Sequence, residues 1–137
     1  MRLRVDRHVE VLEPTFARVR QALGRLDTVG KKKFLVVEDE ARESFVQVAG
    51  GKLAFVVERG GMGRLERAHT ETPVVSFEDG TTLGRISLLH DEWLSRDQAL
   101  ALLRCFLEEA PFPPEVGWRD YTSLLEALGP ATWPVDA

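Results

Sequence analysis

The feature that most constrains the fold is a series of three short apolar segments joined by hairpin-length connections. The segments are Phe34–Glu38, Glu43–Ala49 and Lys52–Arg59, and their valine and phenylalanine content favours β-strands. Gly50-Gly51 connects the second segment to the third, and a two-residue glycine connection is typical of a β-hairpin. Because strands joined by tight turns run antiparallel, these segments predict the centre of an antiparallel sheet.

Two amphipathic segments flank this region and predict helices. Pro14–Leu26 and Ser95–Glu109 carry apolar residues at helical spacing, and Ser95 suits the N-cap position of the second helix. In that helix, Leu103 and Phe106 are expected to be buried against the sheet. Hairpin-linked strands grouped between helices predict an α+β fold, with an antiparallel sheet of about six or seven strands covered by two main helices. A chain of 137 residues without a linker-like stretch is expected to form a single domain, residues 1–137.

Other segments complete the expected fold. Leu3–Val11 alternates apolar and charged residues with the period of a strand. A polar strand is predicted near Arg64–His69, and a further pair of strands at Pro73–Phe77 and Leu83–His90. The segment Ser123–Leu128 is expected to add a last helical turn or two.

The net charge of −4 conceals an asymmetry along the chain. Residues 1–37 carry a net charge of +5 and residues 38–137 carry −9. An acidic excess argues against a nucleic-acid-binding protein, which would show a basic stripe, and is compatible with a basic partner. No apolar stretch reaches the roughly 18 residues of a membrane span, and the single cysteine, Cys105, cannot form an internal disulfide. These features favour a cytoplasmic protein that contacts neither a membrane nor nucleic acid directly.

Motifs for enzymatic chemistry are missing from the sequence. Gly60-Gly61-Met62-Gly63 resembles a phosphate-binding loop only in composition, since it connects two predicted strands rather than opening a helix. The three histidines are scattered, without the spacing of metal ligands. The cluster His90-Asp91-Glu92 could hold a metal or relay a proton, although a polar turn before a helix is its commoner role. We therefore expect no cofactor, no metal and no catalytic residues.

The expected hairpin connections set the strand register and bring glutamates together. A two-residue loop at Gly50-Gly51 places Val46 opposite Phe55, on a face that should meet the helices. A four-residue loop at Asp39–Arg42 sets the register of the first hairpin. The opposite face then carries three rows of residues, which are Glu38–Glu43–Glu58, Val36–Phe45–Val56 and Phe34–Gln47–Ala54. Like charges directly across strands destabilise a sheet, so the acidic row requires an explanation.

Three interpretations of the acidic row remain open. Arginines such as Arg42 or Arg59 can satisfy the carboxylates, in which case the row is structural. An apolar strip with an acidic edge also suits a basic, partly hydrophobic partner. In the third interpretation the carboxylates are catalytic, although the sequence supplies no nucleophile, metal ligand or cofactor motif beside them.

Several short motifs resemble those of one known family. They are Glu13-Pro14, Val19-Arg20-Gln21-Ala22-Leu23, Leu26-Asp27, Phe34-Leu35-Val36-Val37-Glu38, Phe45-Val46-Gln47-Val48, Phe55-Val56-Val57-Glu58, Leu94-Ser95-Arg96-Asp97-Gln98-Ala99 and Trp118. In this order they resemble the immunity proteins of bacterial polymorphic-toxin systems, in particular the family first associated with deaminase toxins. The resemblance covers residues 9–122 and implies a small α+β protein that is not an enzyme. Such a protein binds and blocks a cognate toxin made by the same cell.

The resemblance also suggests which residues contact the partner. The recognisable polar positions of the family correspond to Gln47, Glu58 and Trp118. One departure is the segment Glu71–His90, where members of the family are expected to run more directly into the helix. With the acidic row and its apolar neighbours, the predicted partner-binding residues are Glu38, Glu43, Phe45, Gln47, Val56, Glu58 and Trp118.

We expect the partner to be a basic toxin domain. A nucleic-acid-modifying enzyme is one example, because its active site must be cationic to hold phosphates. The chain itself would act as a monomer or a weak homodimer. Two alternatives remain: a small hydrolase or transferase that uses Glu38, Glu43, Glu58 and a histidine, and a secretion chaperone or adaptor with an exposed groove.

Overall fold

The computed structural model describes residues 1–6, 8–26, 34–51, 54–74, 81–83 and 86–124. The helices are α1 (Phe16–Gly24), a 3₁₀ helix (His90–Glu92) and α2 (Arg96–Leu107). The strands are β1 (Arg2–Val5), β2 (His8–Leu12), β3 (Phe34–Asp39), β4 (Ser44–Gly51), β5 (Ala54–Gly61), β6 (Arg64–Thr70), β7 (Thr81–Leu83), β8 (Ile86–Leu88) and β9 (Val116–Asp120).

Seven of these strands form one antiparallel sheet, in the order β2-β1-β3-β4-β5-β6-β9. Strands β7 and β8 form a separate hairpin. Both α-helices pack on one face of the large sheet, which confirms the predicted α+β fold. The main core between helices and sheet includes Val19, Leu23, Leu35, Val37, Val46, Val48, Phe55, Val57, Leu102, Leu103 and Phe106.

The start of α2 is set by the residues that the sequence indicates. Ser95 Oγ accepts a hydrogen bond from the Gln98 N–H at 3.0 Å, and Gln98 Oε1 accepts one from the Ser95 N–H at 2.8 Å. This reciprocal capping satisfies two backbone donors at the helix terminus. Leu103 is fully buried and Phe106 is 7% exposed, so the predicted buried side of the helix is confirmed.

The amino-terminal segment forms two strands where the sequence predicts one. Asp6 has a positive φ of 55°, and the chain reverses there so that β1 and β2 pair antiparallel. The Asp6 carboxylate accepts a hydrogen bond from the Phe34 N–H at 3.3 Å, which ties this turn to β3. Alternation could not reveal the break, because its period of two is the same in both strands.

The later strands also differ from the prediction. Strand β9 is an edge of the sheet, whereas no strand is predicted there from the sequence. Strand β7 pairs with β8, so Leu83–His90 does not form one strand and its predicted pairing with Pro73–Phe77 is wrong. Residues 75–80 of that region and residues 125–128 of the predicted Ser123–Leu128 turn lie outside the described residues.

The hairpin of β4 and β5 is longer than its glycine pair suggests. Val48 pairs with Val57, so the glycine pair is not the turn, and Gly50 lies within the ladder opposite Phe55. Gly50 has a φ of 116°, and a Cβ there would lie 2.5 Å from the Ala54 carbonyl oxygen. The glycine is therefore required by close backbone approach inside the hairpin rather than by the turn itself.

The hairpin of β3 and β4 is also shifted from its predicted register. Val36 pairs with Gln47, and Glu38 pairs with Phe45, two residues further along β4 than expected. Because side chains alternate with a period of two, a shift by an even number changes partners without changing faces. The residues of the central strands therefore keep their predicted faces and lose their predicted neighbours.

Candidate functional site

The predicted row of three glutamates does not form. Glu38 lies opposite Phe45, and Glu58 lies opposite Gln47. Glu43 is outside the ladder, in the turn before β4, where it is exposed and has a positive φ of 49°. The three carboxylates therefore do not converge, so the carboxylate set invoked for a hydrolase or transferase is not assembled.

Glu38 is neutralised by the first strand of the chain. One of its carboxylate oxygens accepts a hydrogen bond from Arg2 Nη2 at 2.8 Å. The other forms an ion pair with Arg4 Nη2 at 2.7 Å. Strand β1 pairs with β3, which brings these arginines beside the glutamate. Sequence reasoning considered only arginines in or after the hairpins and missed this pairing, because it joins residues more than 30 positions apart.

Glu58 is fully buried on the sheet face opposite the helices. Its carboxylate accepts hydrogen bonds from Arg67 Nε at 2.7 Å and from Gln47 Nε2 at 3.3 Å. Burial raises the pKa of Glu58, although Arg67 and Gln47 act in the opposite direction. Gln47 and Val56 are also buried, at 5% and 0% exposure, so three predicted partner contacts lie inside the protein.

A network of charged side chains continues from Glu58 across the same face. Arg67 has no exposed side-chain surface, and its Nη1 lies 3.2 Å from Glu92 Oε1. The Glu92 carboxylate also accepts hydrogen bonds from Arg119 Nη1 at 2.6 Å and from the Tyr121 hydroxyl at 2.7 Å. We call Glu58, Arg67, Asp91, Glu92, Arg119 and Tyr121 the ionic network.

Two carboxylates of the ionic network are held in the charged form. Burial raises the pKa of Glu92, but hydrogen bonds from the Leu89 N–H, Tyr121 and Arg119 outweigh it, and the net shift is downward. Asp91 receives two hydrogen bonds from Arg119, at 2.9 and 3.1 Å, which lower the pKa of Asp91. The network thereby ties the 3₁₀ helix to β9 and β6.

The sequence shows two of the charged clusters that form this network, but it does not show that they contact each other. Tryptophan stands beside charged residues in both Asp91-Glu92-Trp93 and Trp118-Arg119-Asp120. The structure brings these two clusters together through Arg119. Glu92 comes from the 3₁₀ helix, and its carboxylate accepts a hydrogen bond from Arg67 of β6 on this face.

An open acidic cleft lies at the end of the sheet where β3 turns into β4. It has a volume of about 320 Å³, and half-buried Phe45 contributes its apolar surface. A hydrogen bond from Arg42 lowers the pKa of Asp39, and Glu40 and Glu43 are exposed. The residues of this acidic cleft are Glu38, Asp39, Glu40, Glu43, Ser44 and Phe45.

The turn between β5 and β6 lies beside the acidic cleft. Gly61 has a φ of 141°, and a Cβ there would lie 2.1 Å from the Glu43 carbonyl oxygen, so the two turns are in close contact. Met62 follows with a positive φ of 55°, and its side chain is 80% exposed. The exposed Met62 side chain therefore belongs to a turn that contacts the turn bearing exposed Glu43.

Trp118 lies on the helix side of the sheet, away from Gln47 and Glu58. It packs against the main core, and the Arg59 guanidinium stacks over its ring at 4.2 Å. Phe112 adds a second ring, 5.0 Å from the Trp118 ring. These side chains line an open groove of about 730 Å³, which free Cys105 also borders. Phe45 borders both this groove and the acidic cleft, whereas Gln47, Val56 and Glu58 are buried, so the predicted contacts do not form one continuous surface.

The fold and site together define an α+β protein whose sheet carries helices on one face and a buried ionic network on the other. No protein-family model matches the chain, and comparisons with curated proteins and with solved structures give no significant match. Within the described part of the chain, no helix has the length and apolar character needed to cross a membrane. Nor do any three histidine, cysteine or carboxylate side chains among the described residues form a group suited to a metal ion.

Proposed function

We propose that this chain is an inhibitor of the immunity-protein type, which binds a basic toxin domain in a stoichiometric complex and blocks it. The observation that carries the proposal is the acidic cleft with exposed Met62 beside it. The sequence motifs that resemble the immunity proteins of polymorphic-toxin systems support the same function.

The acidic cleft offers charge that a basic side chain of the partner can meet. Arg2 pairs with both Glu38 and Glu40, Arg4 also pairs with Glu38, and Arg42 pairs with Asp39. Glu43 is exposed at the rim, and neighbouring Phe45 supplies an apolar contact for the stem of a lysine or arginine. Complementary charge of this kind accelerates association and selects partners.

Met62 supplies an apolar anchor at the same end of the sheet. Its left-handed backbone conformation costs on the order of 1 kcal/mol, and its exposed side chain adds little packing within the fold. Burial of such a side chain by a partner stabilises a complex by about 1.5–3 kcal/mol. The proposed contact surface is therefore Glu40, Glu43, Phe45 and Met62, and Gln47, Val56 and Glu58 are excluded from it by burial.

Co-expression with the product of an adjacent toxin gene tests the proposal. We expect the chain to restore growth and to co-purify with the toxin in a fixed ratio. Glu43→Lys should weaken the complex at least tenfold, because it replaces an attraction by a repulsion. Glu71→Lys is the matched control, since Glu71 is exposed at the opposite end of the sheet.

Failure of rescue and of co-purification would contradict the proposed function. Rescue in which Glu43→Lys and Glu71→Lys bind equally well would keep the function and refute the acidic cleft as the contact surface.

A further inference from the structure

The outer surface of the helical layer carries a groove between α1 and α2 that is lined by arginines. The two helices are antiparallel: Arg104 stacks over the Phe16 ring at 4.5 Å, and a Cβ on Gly24 would lie 3.6 Å from Arg96 Nη2. The groove has a volume of about 700 Å³. We call it the arginine groove, and its polar residues are Arg20, Gln21, Arg25, Arg96 and Arg104.

The arginine groove is positively charged in a chain whose net charge is −4. Among the described residues, no carboxylate lines it. Arg104 Nε lies 3.4 Å from Glu108 Oε1, on the same helix, and Arg20, Arg25 and Arg96 are exposed. Four guanidinium groups that share one groove repel one another, and an anion placed between them relieves that repulsion.

We propose that the arginine groove binds the phosphate backbone of a single-stranded nucleic acid. This inference does not depend on the proposed inhibitor function, because the groove lies on the outer side of the helices and the acidic cleft lies at the turn end of the sheet.

The dimensions of the groove suit a short stretch of backbone. Nine residues of α1, from Phe16 to Gly24, span about 12 Å at 1.5 Å per residue. Neighbouring phosphates of a single strand lie farther apart than the rise of about 3.4 Å per step along a duplex axis, so the groove can accommodate about two or three phosphates. Guanidinium groups bind phosphate oxygens in a bidentate fashion, and four of them are enough to contact two or three phosphates.

The stacked pair at one end of the groove favours nucleic acid over an acidic protein segment. Phe16 is half-buried, and the Arg104 guanidinium carbon lies 4.5 Å from the centre of its ring, within the range of a cation–π contact. A nucleic-acid base can stack on such a pair, whereas an acidic peptide would use only the charges. Nucleic-acid binding here departs from the expectation that we drew from the acidic net charge. Exposed charges more than about 8 Å apart are largely screened at physiological ionic strength, so the local charge of the groove has more weight than the net charge of the chain.

Binding of a fluorescein-labelled twelve-residue oligothymidylate, followed by fluorescence anisotropy, tests the proposal. From two or three phosphate contacts we expect the logarithm of the association constant to fall with the logarithm of salt concentration with a slope of about −1.4 to −2. Arg20→Gln and Arg96→Gln should each weaken binding about eightfold at about 50 mM salt and reduce the slope by about 0.7.

Arg64→Gln is the matched control, since Arg64 is exposed on β6 at the turn end of the sheet. It should bind the oligonucleotide like the unmodified chain. Absence of binding at low salt would overturn the proposal, as would an equal loss of affinity in Arg64→Gln. Competition by hexaglutamate as effective as that by unlabelled oligonucleotide would overturn it too, and would assign the groove to an acidic protein segment.

Discussion

Arg67 and Glu92 form an ion pair in which neither side chain has exposed surface, with 3.2 Å between Arg67 Nη1 and Glu92 Oε1. The pair joins β6 to the 3₁₀ helix across the sheet face that has no α-helix. Arg67 also pairs with buried Glu58, so one guanidinium serves two carboxylates. Because the desolvation of these charges is large, their hydrogen bonds must remain complete for the fold to be stable.

Removal of the shared arginine is expected to be strongly destabilising. Arg67→Met leaves the Glu58 carboxylate buried without its cation and should lower the free energy of unfolding by about 3–5 kcal/mol. Urea denaturation at pH 7 measures this, with Arg64→Met on the same strand as an exposed control that should change stability by less than about 0.5 kcal/mol. If Arg67→Met does not fold, Arg67→Met/Glu58→Gln should recover part of the stability. Similar losses in both arginine variants would contradict the role of the network.

The pH dependence of the network has a defined sign at Asp91. Arg119 lowers the pKa of this carboxyl, so its favourable contribution is present above the unfolded pKa of about 3.9 and is lost as the pH falls through the folded pKa. Asp91→Asn should therefore reduce stability by about 1 kcal/mol at pH 7, and the difference from the unmodified chain should vanish toward acid pH. Urea denaturation at several pH values measures it, and a difference that widens on acidification would refute the assignment.

Glu58 is expected to show the opposite trend in the same measurement. Burial raises the pKa of Glu58, so its contribution to stability is present below its unfolded pKa of about 4.3 and declines as the pH rises through the folded pKa. Relative to the unmodified chain, Glu58→Gln should become less destabilising between about pH 4 and pH 7. Parallel pH profiles for Glu58→Gln and Asp91→Asn would contradict this reasoning.

The main core should respond to truncation of α2. Phe106 is buried in the main core, so Phe106→Ala should cost about 3–5 kcal/mol through lost transfer free energy and a residual cavity. Leu12→Ala is the control, because Leu12 is 70% exposed and its truncation should change stability by less than about 0.5 kcal/mol. Chemical denaturation compares the two variants. Equal effects would mean that Phe106 does not support the core.

A substitution at Met62 is expected to change the stability of the fold and the affinity for the partner in opposite directions. Met62 and Gly63 have positive φ values of 55° and 79° between paired β5 and β6, which is the backbone preference of an Asn-Gly turn. Met62→Asn should therefore raise the free energy of unfolding by about 0.5–1 kcal/mol. In the proposed inhibitor, the same change should weaken toxin binding, because the apolar anchor is lost. A variant that is destabilised would contradict the conformational argument.

Much of the fold could be predicted because it depends on local pattern. The alternation in β4 and β5 identified the faces correctly, with Val48 in the core and Glu58 opposite, even though both hairpins are shifted. The cap of α2 at Ser95 was also visible, since it involves residues three positions apart. The candidate site was predicted less well. Its glutamate row required the correct cross-strand partners, and Glu43 lies in a turn instead.

The sequence by itself determined the α+β class, the two α-helices and the face of each central strand residue. These follow from side-chain periodicity and from hydrogen bonds between near neighbours. Only the tertiary structure decided which charges meet. Arg2 pairs with Glu38 across β1 and β3, and Arg67 pairs with Glu92 across β6 and the 3₁₀ helix. Such pairs depend on strand order and on register, and both are set by the packing of segments that are far apart in the chain.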